Sequence, residues 1–131
     1  MKKKRKGVVL VPVGYKPSED ELWAAHIIAA EYSSKIEFIE PDGRYARHTA
    51  DILVNGVPHE IKTPVSEKTE NVYKLLRAGA KQAGILIINA RKTPLSTDRL
   101  KRISLRILDK KRNVNEIIII DSHEGITRLK R

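Results

Sequence analysis

Thr49 to Pro64, TADILVNGVPHEIKTP, is the stretch on which the fold turns. An Asn55-Gly56 pair separates two short runs of strand-forming residues. Both loop positions of a type I′ turn need φ > 0, which Asn and Gly tolerate best, so the pair reads as the two-residue loop of a hairpin. The register follows from that loop. Val54 faces Val57, Leu53 faces Pro58, Ile52 faces His59 and Asp51 faces Glu60. Leu53/Pro58 falls at a non-hydrogen-bonded pair, so the missing N–H of Pro58 costs no ladder bond. Asp51/Glu60 is expected to be of the same kind, with Cβ atoms about 4.5–5.5 Å apart on one face. Lys62, two residues past Glu60, points to that face, while Ile52, Val54, Val57 and Ile61 take the other and suit a core.

Like charges set directly opposite destabilise a sheet. The pairing makes sense if a divalent cation sits between the two carboxylates with a lysine alongside. The blander alternative is a solvent-facing hairpin with incidental charges and Lys62 paired to Glu60. An isolated E-x-K is a common tripeptide. The opposed Asp51, with the lysine on the same face, favours a site.

The remaining composition bounds the class. A chain of 131 residues is one domain's length and holds its own core. Hydrophobic content of 40% with 32% charged residues is globular. No apolar run approaches the about 18 residues of a membrane span, and no signal peptide is visible. The absence of cysteine excludes disulfides, cysteine-ligated zinc and thiol catalysis, and leaves the compartment open. A net charge of +10 points to a polyanionic partner or a membrane surface. Aromatics make up 5%, too few for a base-stacking platform. Residues 1–7, with KKKRK at 2–6, read as a basic, flexible tail that adds non-specific phosphate contacts, and 8–131 as a single domain.

Gly7 to Val13 reads as a strand. Ser18 and Glu21 have capping-box spacing and open a helix that continues to about Ser33. That helix is apolar on nearly all sides and is expected to be buried. His26 on it reads as a core histidine. Glu31 lies near its C-terminus, where the macrodipole disfavours an acid. It is either a solvated helix end or a third carboxylate aimed at the hairpin. KIEFIE, 35–40, is a strand, Pro41-Asp42-Gly43 a turn, and 43–48 a basic connector. After the hairpin, Ser66 is the expected N-cap of a helix from about Glu67 to Ala83, ended by Gly84 as its C′ residue. Lys74, Arg77 and Lys81 form one basic face of it, expected to flank the hairpin site. ILIIN, 85–89, is a buried strand that a crossover sets parallel to the strand of Glu60. A second amphipathic helix covers 96–111. EIIII, 116–120, is a second buried strand, and Ile126 to Leu129 a last one.

This order, αβββαβ with a further helix and strand, resembles the PD-(D/E)XK nuclease superfamily across about residues 18–121, with Asp51 opening one strand and Glu60-Ile61-Lys62 on the next. The resemblance implies an α/β fold with a mixed sheet flanked by helices. It also implies divalent metal, Mg²⁺ or Mn²⁺ with Zn²⁺ admitted, on Asp51 and Glu60, and a lysine, Lys62, that assists attack or steadies charge. An acid on the first helix often joins them, the position Glu31 matches. Ala50 stands where the name-giving proline would be.

A narrower similarity joins TADILVNGVPHEIKTP and KLLRAGAKQAGILIIN to the C-terminal toxin domains of contact-dependent growth inhibition CdiA proteins, in the branch described as transfer-RNA nucleases. It implies an RNA substrate, with Thr63, Lys74, Arg77, Lys81 and Gln82 as nucleic-acid contacts and no role for Asn89. It implies a cognate immunity protein, expected from the +10 surface to be acidic. It further implies action in a bacterial cytoplasm, with delivery from another cell as one route. The chemistry expected is metal-assisted phosphodiester hydrolysis, unless a 2′-hydroxyl attacks, which would relax the need for metal. A DNA endonuclease or resolvase of the same fold remains as an alternative. So does a non-catalytic nucleic-acid-binding module in which Asp51, Glu60 and Lys62 are a structural ion cluster.

Overall fold

The structure, a computed structural model, describes residues 7–41 and 50–131. The expected basic tail, the 43–48 connector and Thr49 lie outside the described residues, apart from Gly7. Among the described residues seven strands and three helices follow the order β1 (Val8–Leu10), α1 (Glu19–Tyr32), β2 (Lys35–Phe38), β3 (Ile52–Val54), β4 (Val57–Lys62), α2 (Thr69–Gly79), β5 (Ile85–Asn89), α3 (Thr97–Lys110), β6 (Glu116–Ile120) and β7 (Ile126–Lys130). All seven strands join one mixed sheet whose spatial order is their chain order.

The hairpin forms as its turn residues require. Asn55 and Gly56 have φ of 47° and 85°, the pair of left-handed conformations a type I′ turn needs. Asn55 also ties the loop to β2. Its backbone N–H donates to Lys35 O at 2.8 Å, and its side-chain Oδ1 accepts from Lys35 N–H at 2.8 Å. The register is Ile52↔His59, Leu53↔Pro58 and Val54↔Val57. β4 then pairs parallel with β5, placing Glu60 beside Leu86 and Lys62 beside Ile88.

Two apolar clusters sandwich the sheet. On one face α1 lays Ala24, Ala25, Ile28 and Ala29 over Ile36, Ile52, Ile61, Ile87 and Ile118. On the other, α2 and α3 cover Leu86, Ile88, Ile117 and Ile119. The EIIII and ILIIN runs read as continuous apolar stretches because these central parallel strands are covered on both sides. Each fully buried isoleucine contributes about 1.5–3 kcal/mol. Alternation along β4 puts Ile61 into the α1 face and Glu60 and Lys62 onto the α2 face.

Local signals place α1 well. Ser18 and Glu21 form a reciprocal capping box, and Ser33 closes the helix in the left-handed region at φ 47°. For α2 they do not. The helix begins at Thr69 with Lys68 as an uncapped N-cap, and Ser66 accepts from Lys68 N–H and Asn71 instead. It ends at Gly79 rather than near Gly84.

Candidate active site

β3 and β4 bring Asp51 and Glu60 together, but not as a regular ladder pair. The strand register stops at Ile52. Asp51 N–H donates to His59 O at 3.2 Å, the carbonyl that the regular register would give to Ile52, so the chain leaves the ladder at Asp51. The Asp51 carboxylate then takes over as an acceptor, receiving Ile61 N–H on Oδ2 at 2.8 Å. This bond aims Asp51 at β4, where its carboxyl meets that of Glu60. Lys62 Nζ lies 3.2 Å from Glu60 Oε2, with the side chains only 19% and 5% exposed respectively. The three groups expected on one face are therefore in contact, and Glu60 is buried beneath α2 rather than solvent-facing.

Burial, then the Asp51 charge, push the Glu60 carboxyl up to about 8, and Lys62 opposes the shift. Burial also raises Asp51, against the pull of the Ile61 N–H and the hydrogen bond with Glu60. Both carboxyls are thus raised, and the pair takes up a proton at a higher pH than free carboxyls do. Gln82 faces the same carboxyl from beyond the end of α2, and with its NH₂ group turned inward it donates to both Glu60 oxygens. A carboxamide can accept from the acid or donate to the carboxylate, so Gln82 serves either protonation state.

Gly79 allows this packing. A Cβ at that position would lie 3.1 Å from Lys62 Cε and 3.5 Å from Glu60 Cγ. The expected result for Gly79→Ala is a protein that melts no lower than wild type, because Ala favours the helix, yet loses several-fold in turnover as Lys62 is displaced. Unchanged turnover would show that Lys62 has room to spare.

The α1 glutamate whose charge reaches Asp51 is Glu21 rather than Glu31. Glu31 is exposed in the last turn of the helix, and its charge is felt by Tyr32. Glu21, in the first turn, raises the Asp51 carboxyl by its charge and, with Asp51 and Glu40, raises the Tyr15 phenol beyond the effect of burial. The two glutamates are ten residues apart, about 15 Å along the helix axis. The orientation of α1 is fixed at its start. Asp20 accepts from Arg91 at 2.6 Å and from Lys92 at 2.8 Å, and Asn89 donates to Asp20 O at 3.0 Å, pinning the first turn to the C-terminal end of β5. A dipole argument about the last turn could not have found this. The capping-box glutamate was visible in the sequence, but as a local cap. His26 is exposed rather than in the core.

The basic residues of α2 also stand differently from the sequence expectation. Arg77 lies over Tyr73, whose ring also meets Arg106 of α3, so Arg77 leans toward α3, while Lys74 and Lys81 are exposed to solvent. Gln82 occupies the flank nearest Glu60. Thr63, next after Lys62, lines a groove with Pro64, Val65, Ser66, Asn71, Val72 and Leu75.

The donors fit a divalent cation through two carboxylates. Among the described residues no cluster of three or more His, Asp or Glu converges on one point. A two-carboxylate site suits an ion such as Mg²⁺, which keeps several waters. A buried pair that cannot hold two negative charges on its own is the electrostatic complement of such an ion.

A family model described as the contact-dependent growth inhibition CdiA C-terminal domain matches residues 47–126. Among solved structures the chain is similar to the CdiA-CT/CdiI toxin and immunity complex from Burkholderia pseudomallei, at 16% identity and a TM-score of 0.62, covering 95% of this chain and 100% of that one. At this identity the likeness is one of fold. A search of curated proteins finds no match.

Proposed function

Given that the chain belongs to the family of contact-dependent growth inhibition CdiA C-terminal domains, we propose that it is a toxin acting as a metal-assisted endonuclease of the PD-(D/E)XK type, with RNA, and transfer RNA in particular, as substrate. The observation that carries the reading is the buried Asp51–Glu60 pair with Lys62 at 3.2 Å. A structural ion cluster would need only one carboxylate to balance Lys62, and burying a second acid that must take up a proton only costs stability. The +10 charge supports a polyanionic substrate, and the RNA preference rests on the similarity in the hairpin and α2 sequences alone.

Asp51 and Glu60 would hold one Mg²⁺ or Mn²⁺, which when bound polarises the scissile phosphate and acidifies its water. The chain's residues do the rest. Ile61 N–H fixes the Asp51 carboxylate, and Gln82 orients Glu60, as outer partners of metal ligands do. Glu60 must release its proton for its oxygens to act as ligands. Lys62, beside Glu60, would present its ammonium to the attacking oxygen or to the charge growing on the phosphate. Glu21 adds negative potential without itself joining the pair.

Glu21→Gln keeps the capping box, because glutamine serves at that position, and removes only the charge. Its expected effect is several-fold weaker Mn²⁺ binding in calorimetric titration, while Glu31→Ala stays within about twofold of wild type. The reverse ranking would restore Glu31 as the helix acid.

The same proposal includes an acidic immunity protein that covers the site, by analogy with the toxin–immunity complex of similar fold, and action in the cytoplasm of a target bacterium. Complementary charge would speed that association and make it salt-sensitive. Induced expression of the chain in bacteria tests the reading. Growth arrest with shortened transfer RNA, reversed by Glu60→Gln, is expected. High-yield expression with intact transfer RNA and no growth defect would remove both the toxin and its immunity partner.

A further inference from the structure

Arg77 and Arg106 flank one ring. Their guanidinium carbons lie 5.9 and 4.1 Å from the centroid of Tyr73, which is buried between α2 and α3. Arg106 is also paired with Glu70 at 3.0 Å, and Asn113 donates to Ala80 O at 2.6 Å, clamping the helices at their other end. Each helix returns between parallel strands, so the two run in the same direction. Along this seam and its rim the exposed cations include Lys74, Arg77 and Lys81 from α2 and its end, and Arg102, Arg106 and Lys110 from α3. The acids of the two helices are Glu70, Asp98 and Asp109. Gln82 marks the opposite flank, against Glu60, so the width of a helix, about 10–12 Å, separates the ridge from the carboxylate pair.

We infer that this α2–α3 ridge is a second contact surface for the phosphate backbone of the nucleic acid that the Asp51–Glu60–Lys62 site cuts, and that the substrate is therefore a folded, duplex-containing RNA rather than a short single strand. The inference rests on the nuclease reading. Guanidinium forks match phosphate oxygens bidentately, and stacking on Tyr73 holds two of them in place before binding, which lowers the ordering cost. On α3 the cations at 102, 106 and 110 recur every four residues, about 6 Å apart, forming a row that follows a backbone. The exposed large hydrophobic residue on α2 and α3 is Leu105, so the ridge lacks the apolar centre of a protein–protein interface. A ligand reaching both the ridge and the carboxylate pair must pass around α2. A folded RNA has that thickness and a short strand does not.

The test uses fluorescence anisotropy in the uncleaving Glu60→Gln background, with bulk bacterial transfer RNA and a short single-stranded RNA oligonucleotide as probes over a range of salt. The double variant Arg102→Glu/Lys110→Glu leaves the Tyr73 stack intact, and its melting temperature verifies the fold. The expected result is a loss of about tenfold or more for transfer RNA, a salt slope shallower by about two, and no change for the oligonucleotide. Equal losses on both probes, or unchanged transfer-RNA affinity, would overturn the ridge. Cleavage by the wild-type chain is scored separately. A chain that cuts neither probe but keeps the contrast between them sinks the nuclease reading and leaves the ridge standing.

Discussion

Asp51→Ala, Glu60→Gln and Lys62→Ala are each expected to reduce RNA cleavage by about 10²–10³-fold or more, the loss that follows removal of one group stabilising a transition state. The three side chains form one unit, so the losses will not add. A double variant should be little worse than the poorest single one. Glu60→Gln is the cleanest of the three. It keeps the shape and the hydrogen-bonding capacity toward Gln82 and removes only the charge that a cation needs. Circular dichroism must show a folded protein in each case, because Glu60 and Lys62 pack against Gly79. A variant with near wild-type turnover would exclude its residue from the catalytic set.

The second large effect is on stability in metal-free buffer, and its sign is set by the raised carboxyls. Glu60 titrates near 4.5 when free and at about 8 in the fold. Between those values the folded chain binds more protons than the unfolded one, so stability falls as pH rises. It is fully present below the unfolded value and lost as pH passes through about 8. His59, held neutral by burial, acts in the opposite sense but below its ordinary value of 6.5. Melting measured in EDTA from pH 6.5 to 9 therefore isolates the carboxylates. A fall of several degrees is expected, at about 4 °C per kcal/mol for a chain of this size. Asp51→Asn keeps an acceptor for Ile61 N–H, removes the opposing charge and should melt higher than wild type at pH 8. Millimolar Mn²⁺ should restore the wild type at pH 8 and not Asp51→Asn. A variant that melts no higher than wild type would argue that the two carboxyls do not repel.

What the sequence showed depended on whether the deciding forces were local. Asn55-Gly56 sets the turn, the turn sets the register, and parity along β4 then puts Glu60 and Lys62 on one face; all three steps are short-range. The Ser18–Glu21 box was equally legible. The departure of Asp51 from the ladder was not, because it depends on the Asp51 side chain competing for Ile61 N–H. The choice of Glu21 over Glu31 depends on which end of α1 reaches the sheet's site, and Asp20, Asn89, Arg91 and Lys92 decide that across about seventy residues of chain. The same holds for α2. Helical spacing correctly grouped Lys74, Arg77 and Lys81, but Tyr73 and Arg106 determine where that face points. Gly79 is where the helix ends and where Lys62 needs space.

Cutting of RNA by the proposed Asp51–Glu60–Lys62 site should depend on both a divalent cation and the Glu60 carboxylate. Purified wild-type chain and Glu60→Gln, incubated with total bacterial RNA and with plasmid, each in Mg²⁺ or Mn²⁺ and in EDTA, test this dependence most directly. The expected result is discrete shortening of transfer RNA by the wild type in metal, none in EDTA, none by Glu60→Gln, and plasmid left intact. RNA that stays whole in metal, or cleavage that persists in EDTA or in Glu60→Gln, would contradict it.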